Sequence, residues 1–181
     1  MIKIKNIPNI LTFSRIILCP IWFLLVLYNY HFSAFILIIY ISLTDYFDGL
    51  IARKLNALSS LGKILDPIAD KIFISTVLIT FVSDARANLV LSIIIISREL
   101  VISCLREVLS EQNKSNVLKV SLISKIKTTF QFISIILLSS IPLIKEYALS
   151  LETIGNTFLL LTAILSIYSA YKYVILTFRQ V

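Results

Sequence analysis

The length of the apolar runs most limits what this chain can fold into: Ile16 to Tyr28, Ala34 to Leu43 and Ile72 to Val82 are almost unbroken by polar residues. A helix at a water-facing surface alternates an apolar stripe with a polar one and cannot carry such runs. With 58% hydrophobic and 15% charged residues and a mean hydropathy of +0.94, the polar surface falls well short of a soluble domain, where about a quarter of residues are charged. The expected fold class is therefore all-α, a polytopic membrane protein. No internal repeat, low-complexity tract or break in composition divides the chain, so a single membrane domain is expected over residues 1–181.

A spanning helix needs about 20 mostly apolar residues. That length partitions the chain into six transmembrane helices near 9–28, 33–54, 63–82, 88–109, 121–141 and 153–177. Residues 1–8 read as a short N-terminal cytoplasmic lead, amphipathic or extended, with Pro8 suited to open the first helix. Lys3 and Lys5 before an apolar run give the outline of a signal peptide, but Arg15 interrupts the run and no small-residue cleavage pattern follows Tyr28. The lead is therefore read as retained.

Lys and Arg gather in the lead (Lys3, Lys5), the second connection (Arg53, Lys54, Lys63), the fourth (Lys114, Lys119, Lys125, Lys127) and the tail (Lys172, Arg179). The first, third and fifth connections hold only Arg86 and Lys145. Both termini are then expected on the cytoplasmic side. The net charge of +7 is scattered between spans and forms no stripe, so anionic lipid rather than nucleic acid is the expected partner of these cations. Trp22, Tyr28, Tyr30 and Phe32 surround the first external turn and are expected to be interfacial. His31, in the same turn, has no carboxylate or thiol nearby in sequence and reads as interfacial rather than as a ligand. Cys19 and Cys104 lie in apolar stretches and read as small hydrophobes without a disulfide.

Against this background, ionisable residues within spans stand out, because each is costly there. Asp45 and Asp48 are three apart near the cytoplasmic end of the second span, and Asp66 and Asp70 are four apart at the start of the third. On helices both spacings place the pair on one face, and the short connection makes the two helices antiparallel neighbours. Four carboxylates brought together repel unless a cation neutralises them or some are protonated. Oxygen ligands without His or Cys favour Mg2+, Mn2+ or Ca2+ over zinc, and two divalent ions balance four charges. Gly49, Ala52 and Gly62 allow close backbone approach around the set. The competing reading is structural: helix-end aspartates paired with Arg53, Lys54, Lys63 or Lys71.

Residues 45–70 read Asp45-x2-Asp48-Gly49-x2-Ala52-Arg53-x8-Gly62-x3-Asp66-x3-Asp70. At all eight fixed positions this is similar to the signature of the CDP-alcohol phosphatidyltransferases. Asn6-Ile7-Pro8-Asn9-x2-Thr12-x2-Arg15, Asp66-Pro67-x-Ala69-Asp70-Lys71, Ser97-Arg98-Glu99-Leu100 with Leu105-Arg106-Glu107, and Lys125-x-Lys127-Thr128-x2-Gln131 resemble the branch whose acceptor is glycerol 3-phosphate.

The resemblance implies a six-helix enzyme of the cell inner membrane, generally a homodimer, with a cytoplasmic active site that joins an alcohol to a CDP-linked lipid and releases CMP. It implies Mg2+ or Mn2+, in two ions, with Asp45, Asp48 and Asp66 as metal ligands and Asp70 as general base, also close to metal. Gly49, Arg53, Ser59 and Gly62 would contact CDP-diacylglycerol, with Asn9 and Thr12 by its nucleotide. The spacing does not separate base from ligand for Asp70.

The acceptor is read from the remaining cations. Arg98 and Arg106 lie eight apart on the fourth span, and Lys125 and Lys127 open the fifth at the same side. They suit an acceptor with about two negative charges, such as glycerol 3-phosphate, held by charge-assisted hydrogen bonds. The structural alternative for Arg98 and Arg106 is pairing with Glu99 and Glu107 or snorkelling to lipid phosphate, and for Lys125 and Lys127 a topogenic role. Serine, an inositol phosphate or phosphatidylglycerol are competing acceptors. A cation transporter would need acidic residues along the whole path, yet Asp84, Glu146 and Glu152 sit only at the external ends. Soluble diphosphate enzymes with spaced aspartates would have amphipathic helices, unlike these.

Overall fold

The computed structural model describes residues 7–55, 60–111 and 122–178, and within them the side chains of 7–11, 45–55, 60–64, 66, 108–111, 122 and 176–178 lie outside the description. Each expected span is a helix: α1 (Ile7–Leu27), α2 (His31–Leu55), α3 (Ser60–Ser83), α4 (Leu89–Glu111), α5 (Leu122–Ser140) and α6 (Ala148–Phe178), the last preceded by a short 3-10 turn at Lys145–Tyr147. Among the described residues there is no strand. By length and composition, one helical stretch, Lys145–Ile175, is long and apolar enough to cross a membrane, and Thr12–Leu27 and His31–Thr44 are shorter apolar segments. Residues 1–6 of the expected lead lie outside the described residues, and Pro8 falls in the first turn of α1. There its missing N–H has no helical acceptor to leave unbonded.

The described residues fall into two compact units, Met1–Thr80 with Pro142–Ile144, and Phe81–Ile141 with Lys145–Val181. In the first unit, the buried residues of α1 are Thr12, Arg15, Cys19, Trp22 and Val26, spaced alternately by three and four. This spacing is the seam a helix needs to pack along its length. The facing α2 buries Ala34, Ile38, Ile41 and Thr44. Trp22 is fully buried and its indole Nε1 donates to the Ala34 carbonyl at 3.1 Å. That corrects its expected interfacial role: Trp22 packs in the α1–α2 seam, where the α2 backbone satisfies its N–H. Tyr28, Tyr30 and Phe32 are exposed as expected.

The turn between α1 and α2 closes as a Schellman motif, with Tyr30 N donating to Leu25 O at 2.8 Å and Asn29 N to Val26 O at 3.0 Å. Asn29 takes the left-handed position, φ 61°, which Asn tolerates better than most residues.

The second unit contains α4, α5 and α6, and its buried stripes are unusually polar. On α5 the stripe is Lys127, Gln131, Ser134 and Leu138, and on α6 it is Gly155, Leu159, Thr162, Ser166, Ser169 and Tyr173. The outward faces are apolar: Leu160, Leu161, Ile164 and Ile167 of α6 are exposed, as are Leu89, Val90 and Ile93 of α4. The α5–α6 contact is made by small and aromatic groups. Ser134 Oγ donates to the Gly155 carbonyl at 2.8 Å, and the Phe130 and Phe158 rings meet edge to face at 5.5 Å.

The turn from α3 into α4 is another Schellman closure, Arg86 N to Phe81 O at 2.8 Å, with Ala85 at φ 57°. Asn88 then caps α4, its Oδ1 accepting from Leu91 N at 3.2 Å. Asn156 on α6 fastens this turn by donating to the Arg86 carbonyl at 2.9 Å and accepting from Asn88 N at 2.9 Å. Arg86 is buried, pairs with Asp84, donates to the Leu138 carbonyl at 3.3 Å and lies over the Phe81 ring.

A Cβ placed on Gly155 would lie 2.7 Å from Leu138 Cδ2 and 2.9 Å from its Cγ, and Leu138 is fully buried. Gly155→Ala is therefore expected to cost about 1–3 kcal/mol by overpacking, read as a lower melting temperature of the detergent-solubilised protein. In the Gly155→Ala/Leu138→Ala double variant the two losses should be less than additive, because the new methyl occupies part of the space that Leu138 vacates.

Candidate active site

The chemistry-bearing residues lie partly in each unit. In the first, the backbone of α2 is helical through Asp45, Asp48, Gly49 and Arg53, and that of α3 through Gly62, Asp66 and Asp70. The spacings of three and four therefore put each aspartate pair on one helical face. The side chains of Asn9, Asp45, Asp48, Gly49, Arg53, Gly62 and Asp66, and all of Ser59, lie outside the described residues. Thr12 is buried on α1.

Asp70 is the aspartate of the quartet whose side chain is described, and its ion-pair partner is Arg15, through Nη1 and Oδ1. The two ends differ sharply, since the Arg15 side chain is 1% exposed and that of Asp70 is 48% exposed. Arg15 was not among the structural partners expected for the aspartates. Of those, Lys71 instead donates to the Pro67 carbonyl at 2.6 Å. The sequence signal was the break Arg15 makes in an apolar run. A buried guanidinium in such a segment requires an anion, and carboxylates are few in this chain.

Pro67 sits inside α3 rather than in its first turn. Its missing N–H removes one helical bond, and its exposed position keeps the ring out of the packed face.

In the second unit, Glu99 of α4 pairs with both Lys127 of α5 and Arg98 of its own helix, the latter at 3.2 Å. Arg98 reaches on to α6, donating to the Ser166 carbonyl at 3.3 Å and to Ser169 Oγ. Arg106, two turns along α4, donates to the Tyr173 hydroxyl at 3.3 Å and lies 5.5 Å from its ring centroid. Its charge is within electrostatic reach of Arg98 and Lys127. Three of the four expected acceptor cations thus form one cluster. Lys125 is exposed, and its carbonyl accepts from Thr128 and Thr129. Glu99, the shared counter-ion, was anticipated as a structural partner for Arg98 but not for Lys127. Its link to Lys127 spans two helices and leaves no trace in local spacing.

This arrangement can hold an anion. Among the described residues, the buried Arg98 and Lys127 share the Glu99 carboxylate, and the exposed Arg106 adds a third positive charge nearby, a group able to hold an anion by charge-assisted hydrogen bonds. The first unit offers an accessible carboxylate paired with a buried arginine, and its helices α2 and α3 carry three further aspartates together with Arg53, Lys54, Lys63 and Lys71.

The described residues are helical, with spaced aspartates on α2 and α3 and a cation cluster around Glu99. The model of the CDP-alcohol phosphatidyltransferase family matches residues 5–175. The chain belongs to that family.

Within the family the relatives agree on one reaction. The chain is 40% identical over 181 residues to the CDP-diacylglycerol–glycerol-3-phosphate 3-phosphatidyltransferase of Wigglesworthia glossinidia brevipalpis, covering 97% of this chain and 96% of that one. It is 36% identical to the enzyme of the same name from Rickettsia typhi, over 93% of this chain and 95% of the other. The Bacillus subtilis enzyme of that name is 37% identical over 76% and 79%.

Replacing Glu99 by Gln would leave Lys127 and Arg98 without their anion inside the unit. The expected cost is up to about 3–5 kcal/mol, as for one partner removed from a buried pair. The melting temperature of Glu99→Gln should fall well below that of Glu107→Gln, whose side chain is exposed.

Proposed function

We propose that this chain transfers the phosphatidyl group of CDP-diacylglycerol to sn-glycerol 3-phosphate, forming phosphatidylglycerophosphate and releasing CMP. The observation that carries the acceptor is the cation excess around Glu99. Among the described residues, Arg98, Lys127 and the exposed Arg106 outnumber the Glu99 carboxylate, which suits the roughly two negative charges of a phosphate monoester near neutral pH. Arg98, Arg106, Lys125 and Lys127 hold the acceptor phosphate. A neutral acceptor such as serine leaves this excess unused.

The donor end belongs to the first unit. Asp45, Asp48 and Asp66 hold divalent metal, Mg2+ or Mn2+, in two ions, and Asp70 is the general base and lies close to them. The fit is one of donor chemistry: carboxylate oxygens without His or Cys suit hard divalent ions, and the Asp70 carboxylate, which shares a face of α3 with Asp66 by spacing, is held by Arg15. Bound there, the ions neutralise the diphosphate oxygens and ease departure of CMP. Asn9, Thr12, Gly49, Arg53, Ser59 and Gly62 contact the CDP-lipid. Asp70 accepts the proton of the acceptor's free primary hydroxyl as its oxygen attacks the phosphatidyl phosphorus. The bond from that phosphorus to the bridging oxygen breaks, and the oxygen leaves with CMP.

The setting is a membrane. Many large apolar side chains, among them Leu160, Leu161, Ile164 and Ile167, face outward, while several charged and hydroxyl side chains are buried beside the apolar core, a pattern that suits a lipid surround. Ser134, Gly155, Ser166 and Ser169 at the helix contacts are the small residues by which helices pack in lipid. On this reading all six helices span the inner membrane as one domain, both termini and the active site are cytoplasmic, and the enzyme works as a homodimer.

Purified protein supplied with CDP-diacylglycerol should release CMP with glycerol 3-phosphate, lose activity to a chelator and regain it with Mg2+ or Mn2+. Release with serine or inositol phosphate but not glycerol 3-phosphate would refute the acceptor. Arg106→Ala should raise KM for glycerol 3-phosphate about tenfold or more, equivalent to the loss of one charge-assisted bond, and leave KM for the CDP-lipid within about twofold. Asp66→Asn should abolish turnover and weaken Mn2+ binding measured by calorimetry without substrate.

A further inference from the structure

We propose that Arg15 is a positioning residue for the phosphatidyl transfer, holding the Asp70 carboxylate in the orientation from which it takes the proton of the acceptor hydroxyl. The inference rests on the reading of Asp70 as the base.

The geometry separates a fixed end from a working end. The Arg15 side chain is 1% exposed and lies in the packed seam of α1 between Thr12 and Cys19, whereas Asp70, on α3, has nearly half of its side chain accessible. Packing alone does not call for a guanidinium in this seam, because an apolar side chain of similar size fills such a place at no desolvation cost. What the arginine adds is a planar, permanently charged donor that cannot drift, because the seam around it is closed. Its Nη1 holds Oδ1 of Asp70, and a carboxylate tethered by one oxygen loses much of its rotational freedom.

Asp70 needs such a tether. Asp66 shares its face of α3 by spacing, so repulsion between two neighbouring carboxylates acts to turn that of Asp70. The neighbouring cation, Lys71, is engaged with the Pro67 carbonyl. Arg15 reaches Asp70 from 55 positions away in sequence, so α1 acts on the reaction through α3. Displacement of a reacting group by about 1 Å is enough to cost about 100-fold in rate, which sets the scale of the effect.

The test compares wild type, Arg15→Lys, Arg15→Gln, Asp70→Asn and the double variant Arg15→Gln/Asp70→Asn as full-length protein in detergent, measuring kcat, both KM values and melting temperature. Arg15→Gln should lower kcat about 30- to 100-fold with both KM values within about threefold. Arg15→Lys, which keeps the charge but not the planar fork, should recover at least about tenfold of that loss. The double variant should be no slower than Asp70→Asn alone, because a residue that acts through Asp70 has nothing left to position.

Losses that multiply in the double variant, or a folded Arg15→Gln with wild-type kcat, would overturn the proposal. If Arg15→Gln does not fold, Arg15→Lys decides: reduced kcat with unchanged KM values supports positioning, and unchanged kcat overturns it. Full activity in Asp70→Asn would instead refute the base assignment itself, and with it the proposal.

Discussion

A charge held inside a protein whose exterior is apolar has to be matched from within, and this constraint organises the whole chain. Water cannot reach Arg15, Arg98 or Lys127 to solvate them, so each is met by a carboxylate, a carbonyl or a hydroxyl from another helix. Arg15 of α1 meets Asp70 of α3, Lys127 of α5 meets Glu99 of α4, and Arg98 of α4 meets Ser166 and Ser169 of α6. The same contacts tie helices together and gather the polar groups that do chemistry. Stability and function therefore draw on one set of interactions.

The described ion pairs differ between the units: in the first, a half-exposed Asp70 is held by a buried Arg15, and in the second, Glu99 is shared by the buried Arg98 and Lys127. Fold packing supports this through small residues, with Gly155 against Leu138 and Ser134 bonded to the Gly155 carbonyl drawing α5 and α6 close.

Much of this was legible in the sequence. Six apolar runs predicted six helices with ends displaced by only a few residues, since run length and helix length are set by the same apolar content. The aspartate spacings placed the pairs on common faces for the same reason: a helix converts spacing into direction. Partnerships between helices were less legible. Arg15 looked like an interruption and Trp22 like an interfacial anchor, because a side chain's role depends on what faces it, and α2 and α3 supply those partners from 12 and 55 residues away. Glu99 was read with its neighbour Arg98, while its bond to Lys127, 28 residues distant, could come only from the fold.

The account turns on attack by the acceptor hydroxyl oxygen on the phosphatidyl phosphorus, with the bridging oxygen leaving on CMP. Glycerol 3-phosphate labelled with 18O at its free primary hydroxyl, incubated with the enzyme and CDP-diacylglycerol, tests this by mass spectrometry of both products. The label should be retained in full in phosphatidylglycerophosphate, with none in CMP. Label in CMP, or an unlabelled lipid product, would contradict it.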